Sequence, residues 1–189
     1  MGRRPRRRAR PKQKGLKMSY FCYQSLKSFL KLPSPRADNV KYSVAVKKTP
    51  TKREYGMELA KLTALQSKDP NTQVGACFMN EDNRVVGLGY NGFPRGLDDL
   101  PWNRDDEDPL NNKYLFVCHA ELNAVTNSTG NLKNSTLYVT LFPCNECMKL
   151  LIQYQVKKVV YLENKYSSTD SVKASLLMAE MANIVLERY

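Results

Sequence analysis

Charge is spread so unevenly along this chain that only the residues after about 50 read as a folded domain. Residues 1–50 hold 15 Lys and Arg against one acid, Asp38, while the other 139 hold 15 against 17 acids, so the net +12 belongs to the first segment. Residues 3–14 read RRPRRRARPKQK. Such a run repels itself, has almost nothing apolar to bury, and is expected to be disordered. The first convincing helix starts near Lys52, where Tyr55, Leu59, Leu62 and Leu65 recur at helical spacing as far as Gln66. Ser67-Lys68-Asp69-Pro70-Asn71 then stops it, because proline cannot continue a helix and restricts the residue before it. The chain thus divides into a basic extension, 1–50, and a domain, 51–189. At 189 residues and 42% hydrophobic it provides for one core of ordinary size, and no apolar run is long enough to span a membrane.

Three readings of the extension stand side by side. It is an alternative leader ahead of a start at Met18 or later, a nuclear-localisation or polyanion-binding patch, or a mitochondrial presequence with Leu26, Phe29 and Leu30 as its apolar patch. No secretory-type apolar stretch follows it, and Arg6 stands where a myristoylation signal needs Ser or Thr. The expected compartment is the cytoplasm, with nuclear and mitochondrial addresses as the alternatives. Five cysteines without a disulfide-type framework suit a reducing compartment.

Within the domain, Val74–Met79 and Arg84–Tyr90 are short β-favouring runs joined by Asn80-Glu81-Asp82-Asn83, a hairpin signature. A polar, acid-rich stretch, 91–113, follows, of a length that marks a functional or flexible loop. Then come a helix over 119–127, a strand over 136–140, a helix over 144–154, a strand over 158–162, a helix over 172–181 and a strand over 184–187. Alternation of this kind calls for a mixed sheet covered by helices.

The chemistry lies in two short motifs. His119, the sole histidine, stands in Cys118-His119-Ala120-Glu121, and Pro143-Cys144-Asn145-Glu146-Cys147 follows. Cysteines three apart at a helix start present both sulfurs to one side, where the helix terminus favours thiolates. Two thiolates and an imidazole make three protein ligands for zinc. A structural zinc site is normally closed by four, so three leave a position for water, whose pKa zinc lowers to about 7. Glu121 is the carboxylate beside the proposed ligand and the expected proton carrier. H-x-E followed by P-C-x-x-C is the signature of zinc nucleobase deaminases. Cys77 reads as core, and Cys118 as structural rather than ligating.

Beyond those motifs, SKDPNTQVGAC (67–77), GYNGFP (89–94), LPW (100–102), VCHAELNA (117–124) and LYVTLFPCNEC (137–147) resemble the deoxycytidylate deaminase family of the cytidine-deaminase-like superfamily. The resemblance covers roughly residues 52–189 and leaves the extension unmatched. It implies a three-layer α/β/α sandwich around a five-stranded mixed sheet, and deamination of dCMP to dUMP with release of ammonia. By the same resemblance His119, Cys144 and Cys147 ligate Zn2+, and Glu121 shuttles protons to the cytosine ring and the leaving amino group. The backbone of Ala120 meets the base edge, Asn91 meets the nucleoside, Asn71 and Thr72 flank the sugar, and Lys68 and Tyr166 neighbour the phosphate. A homohexamer activated by dCTP, with Mg2+ as its companion, and inhibited by dTTP is the inherited expectation. Gly92 and Arg95 are the expected effector residues, with a solvated insertion as the alternative. A second, structural zinc needs another histidine, which this chain lacks. The run Gln153-Tyr154-Gln155-Val156 also lacks the glycine that usually ends the helix there.

Two other readings compete. The basic extension favours an enzyme that edits tRNA or single-stranded DNA, whereas the near-neutral domain and its acidic loop argue against a polyanion. A catalytically dead zinc protein serving as a binding module is the other, and the presence of Glu121 opposes it.

Overall fold

The computed structural model describes residues 48–97 and 99–189. The readings made for the basic extension lie outside the described residues. Helix α1 spans Lys52–Ala64 and opens on a capping box. The Thr51 hydroxyl accepts from the Glu54 N–H at 3.2 Å, and the Glu54 carboxylate accepts from the Thr51 N–H at 2.7 Å. The helical period read from the sequence is right, but its inward face is not the one marked by the large residues. Leu62 and Leu65 are exposed, and the buried stripe is Gly56, Met57, Ala60 and Ala64. The cause is distance. A Cβ on Gly75 would lie 2.0 Å from the Ala60 carbonyl oxygen and 2.5 Å from the Ala64 nitrogen, so helix and strand meet backbone to backbone there and only small residues fit at 60 and 64.

Strands β1 (Gly75–Met79) and β2 (Val85–Tyr90) form the expected antiparallel hairpin, with Asn83 at φ 58° in its turn. After the long polar stretch, α2 (Ala120–Thr126) leads to β3 (Thr136–Leu141), α3 (Asn145–Gln153), β4 (Lys158–Glu163), α4 (Asp170–Met181) and β5 (Val185–Arg188). The sheet order is β2-β1-β3-β4-β5, antiparallel across β1 and parallel from β3 to β5. Every residue of β1 is buried, because both faces of the sheet are covered. Cys77, Met79, Tyr138 and Val160 pack with Met57 and Ala60 of α1. Ala76, Phe78, Leu137, Val139 and Val159 pack on the opposite face with residues of α2, α3 and α4. This is the expected three-layer sandwich with five mixed strands.

Two backbone positions bear on the site or on stability. Gly89 of β2 lies against α2, where an added Cβ would come within 2.1 Å of the Ala124 nitrogen and 2.4 Å of the Ala120 oxygen. Gly89→Ala therefore displaces the helix that begins beside His119. We expect a loss of about 1–3 kcal/mol in unfolding free energy together with lower zinc content; thermal melts and metal analysis check it. At the end of α3, Gln155 takes φ 55°, the left-handed position a glycine would fill at less cost. Its N–H donates to the Ile152 carbonyl at 2.9 Å. Gln155→Gly is expected to raise stability by about 1 kcal/mol, and a lower melting temperature would refute that account.

Candidate metal centre and active site

The parallel strands deliver their successors to one end of the sheet, where α/β folds open their crevices. Leu141 and Phe142 run out of β3 into Cys144, which caps α3, while His119 caps α2. Cys147 lies three residues into the same helix start as Cys144. A second set of contacts fixes this turn. Ser175 donates to the Pro143 carbonyl at 3.0 Å, and Ser171 donates to the Asn145 side-chain oxygen at 2.7 Å, so α4 braces the loop that carries Cys144.

The donor atoms of His119, Cys144 and Cys147 lie within 4.8 Å of one another, and they are the cluster of metal-ligand type among the described residues. Both sulfurs are 3.3 Å from Nδ1 of His119. Tetrahedral zinc with its ordinary Zn–S and Zn–N lengths separates such donors by about 3.5 Å. The donor set and its spacing therefore fit zinc. The cluster divides its protons unequally. Hydrogen bonding with Cys147 and with the imidazole outweighs burial and holds the Cys144 thiol down to about 4, and the bond to Cys144 raises His119 to about 9. The Cys147 thiol is pushed well above its ordinary value by its bond with Cys144 and by burial. Cys118 stands outside the cluster, its backbone paired with Gly92 in both directions, and burial pushes the Cys77 thiol up to about 12. Cys77 is buried in the core, as the sequence suggested.

His119 and Cys144 of this cluster open onto a cavity of about 510 Å³. Glu121, only 4% exposed, reaches it from α2 without joining the metal cluster, and burial raises its carboxyl pKa despite the nearby imidazole. Ala120, Thr72, Asn91 and Tyr166 also line the cavity. Lys68, Asn71, Gly92 and Arg95 do not. The Asn71 N–H instead donates to Asp69 at 2.9 Å, and Arg95 donates to the Asn127 side-chain oxygen at 3.0 Å. Asn91 is committed to the loop beside it. Its oxygen accepts from the Val74 N–H at 2.7 Å, and its nitrogen donates to the Thr72 carbonyl at 3.0 Å and to Asp69 at 3.1 Å.

That carboxylate is the main feature the sequence reading passed over. Asp69 is 3% exposed and pairs with Lys113, itself 4% exposed. Its other oxygen accepts from the N–H groups of Asn71 and Thr72 at 2.9 and 3.1 Å. Burial alone would raise the Asp69 carboxyl, but the Lys113 ammonium and these two N–H groups outweigh it and hold the carboxyl below its ordinary value. The pair links the loop that carries Thr72 to the segment leading into His119. Asp69 lay in the quoted SKDPNTQVG segment, yet its partner is 44 residues away, and no local pattern announces a pairing of that range.

The acidic stretch also differs from expectation. It is folded into two 3-10 turns, Pro109–Asn111 and Lys113–Leu115, and Phe93 stacks on Trp102 with ring centroids 4.1 Å apart. Asp106 and Asp108 accept backbone N–H groups at 3.0 and 2.9 Å, forming tight local turns. The stretch presents Arg104, Lys113 and Tyr114 to the cavity and none of its acids. Lys113 is there paired with Asp69, so Arg104 is the charge the stretch adds to the cavity wall.

With the geometry in hand, the chain can be placed among known proteins. A family model described as the cytidine and deoxycytidylate deaminase zinc-binding region matches residues 50–163. The deoxycytidylate deaminase of Homo sapiens is 48% identical over 139 residues, covering 72% of this chain and 78% of that protein. The probable deoxycytidylate deaminase of Drosophila melanogaster is 44% identical over 144 residues, covering 72% and 71%. Among solved structures, the dCMP deaminase of cyanophage S-TIM5 in complex with dCMP and dUMP superposes with a TM-score of 0.59 at 28% identity. That match covers 76% of this chain and 100% of the phage chain. Cluster, cavity and sequence agree: the chain belongs to the cytidine and deoxycytidylate deaminase family.

Proposed function

We propose that the chain hydrolyses dCMP to dUMP and ammonia. The observation that carries this reading is a three-donor zinc set, two of whose members line one cavity with a buried carboxylate outside that set. Resemblance to the deoxycytidylate deaminases selects dCMP among cytosine compounds. When bound, zinc supplies a Lewis acid that lowers the pKa of water to about 7. The protein's own residues do the rest. Glu121 takes a proton from the attacking water and passes it to N3 of the cytosine while oxygen bonds to C4. It then carries the second proton to the amino group, the C4–N bond breaks and ammonia departs. A carboxyl raised by burial suits a group that must both accept and release protons in one turnover. The Ala120 backbone at the start of α2 faces the base edge, and Thr72 flanks the sugar. Asn91 contributes by fixing the loop that holds Thr72.

A hexamer activated by dCTP and inhibited by dTTP is the assembly and regulation that the family resemblance carries over, and a cytoplasmic address goes with it. Among the described residues no helix is long and apolar enough to cross a membrane. The test compares ammonia release from dCMP, deoxycytidine and a cytosine-bearing oligonucleotide, each with and without dCTP and magnesium. A strong preference for dCMP, raised by dCTP, is expected. Turnover of the oligonucleotide with dCMP untouched would overturn the reading and make the basic extension part of the substrate grip.

A further inference from the structure

Asp69 satisfies more donors than a neutral side chain of its size could. It accepts through one oxygen from the N–H groups of Asn71 and Thr72, at 2.9 and 3.1 Å. Through the other it accepts from the Asn91 side-chain nitrogen at 3.1 Å and from Lys113. An ionised carboxylate is an acceptor only, with about four lone-pair sites to meet these donors. An asparagine there would offer a single acceptor oxygen and would turn its own N–H groups toward Asn91 and Lys113. Lys113 supplies the charge that keeps the acid ionised, and it is itself held in place. It is buried, with its ammonium 5.9 Å from the Trp102 ring centroid and 5.8 Å from that of Tyr114.

Asn91 carries that constraint to the cavity wall, which it lines together with Thr72. Its side-chain nitrogen gives one proton to Asp69 and the other to the Thr72 carbonyl at 3.0 Å, while its oxygen accepts from the Val74 N–H at 2.7 Å. Rotating the amide by half a turn would set nitrogen against the Val74 N–H and oxygen against two acceptors, so one orientation alone is satisfied. The backbone of Asn91 is tied as well. Its N–H donates to the Val74 carbonyl at 3.1 Å, and its carbonyl accepts from the Ser67 hydroxyl at 2.8 Å. The next residue, Gly92, exchanges backbone hydrogen bonds with Cys118 at 3.0 and 2.8 Å, and Cys118 adjoins His119. A chain of contacts thus runs from the carboxylate to the segment that carries a metal donor. It leaves the Thr72 hydroxyl to accept from Lys165 at 3.4 Å.

We infer that Asp69 and Lys113 are positioning residues: the lysine holds the acid as a carboxylate, and the carboxylate fixes the Asn91 amide and the Thr72 loop in one orientation relative to His119. The inference rests on the proposed cytosine deamination and adds residues that act on it through others. Stability alone is a poor reason for such a pair. Replacing a buried ion pair by neutral groups of similar volume often costs the fold nothing, whereas only the ion accepts from all these donors at once. Burial would raise the Asp69 carboxyl, yet Lys113 and the two backbone N–H groups hold it below its ordinary value. The form that accepts without donating is therefore the one present at neutral pH. Asp69 borders the cavity with its lone-pair sites already taken, so its influence reaches a bound molecule by way of Asn91 and Thr72.

The test separates placement from stability. Wild type, Lys113→Met and the double variant Asp69→Asn with Lys113→Met are compared as zinc-loaded full chains, well below the lowest melting temperature. Zinc content, melting temperature, and kcat and KM for dCMP and deoxycytidine are measured. The double variant should keep its zinc and melt well above Lys113→Met. Its kcat/KM should nonetheless fall about ten- to a hundredfold, in kcat as well as KM and equally for both compounds. Wild-type kcat/KM in the double variant would overturn the inference and reduce the pair to a structural contact. A loss confined to dCMP would overturn it too, because Asn91 and Thr72 would then not be the residues displaced. Hydrogen exchange of the Asn91 side-chain amide, followed by NMR without substrate, is the second arm. Both protons should exchange slowly in wild type and about tenfold faster in the double variant. Fast exchange in wild type, or slow exchange retained in the double variant, would overturn the inference whatever the turnover. Failure of wild type to deaminate either compound would overturn the deaminase reading, and the exchange arm would then decide the positioning role by itself.

Discussion

Glu121→Gln should purify with its zinc and turn over dCMP at least about a hundredfold more slowly than wild type. The prediction separates two roles that lie two residues apart in one motif. His119 belongs to the donor cluster with Cys144 and Cys147, whereas Glu121 reaches the same cavity from the first turn of α2 and is not part of that cluster. Glutamine keeps the size of the side chain and its buried packing but cannot accept and release a proton. Metal analysis should give the same zinc per chain as wild type, and ammonia release should fall. Near-normal turnover would remove Glu121 from the mechanism; loss of zinc would mean that the carboxylate holds the metal after all. Cys144→Ser is the complementary control, because it removes a donor and should cost metal and activity together.

The largest stability effect is expected at Lys113. Lys113→Met leaves the Asp69 carboxylate buried without its counter-ion, a loss of about 3–5 kcal/mol. For a domain of this size that is a drop of roughly 10–20 °C in melting temperature. Neutralising both partners, as Asp69→Asn with Lys113→Met, should recover a good part of it, since the asparagine oxygen still accepts the N–H groups of Asn71 and Thr72. A double variant no more stable than Lys113→Met would mean that the damage lies in packing rather than in the orphaned charge. The pH dependence provides an independent arm. The Asp69 carboxyl is depressed in the fold, so its contribution is present above the unfolded carboxyl pKa of about 4 and is lost as pH falls through the folded value. Wild type should therefore lose stability on acidification below about pH 4 more steeply than the double variant.

Legibility in the sequence followed the range of the interactions involved. The zinc donors and the carboxylate beside them were readable because each pair is local: His119 and Glu121 share one helix start, and Cys144 and Cys147 share another. The strands were readable because their β-favouring runs and the Asn80–Asn83 turn are also local. The buried face of α1 was not. Leu62 and Leu65 marked the period but point outward, and the choice of face depended on how closely Gly75 lets β1 approach Ala60. Nor was the charge that this part of the chain turns toward the cavity legible. Composition made the stretch before His119 acidic, yet local turns absorb Asp106 and Asp108 while Arg104 and Lys113 reach inward.

By itself the sequence determined the donor atoms, the carboxylate beside them, the order of helices and strands, and the family, since these are written in residue types at short spacing. Tertiary structure alone decided which side chains meet across the cavity. Asp69 and Lys113 stand 44 residues apart, and Thr72 and Lys165 stand 93 apart. Pairings of that range depend on the sheet order and on burial, because a charge drawn out of water takes whichever partner the fold brings within reach.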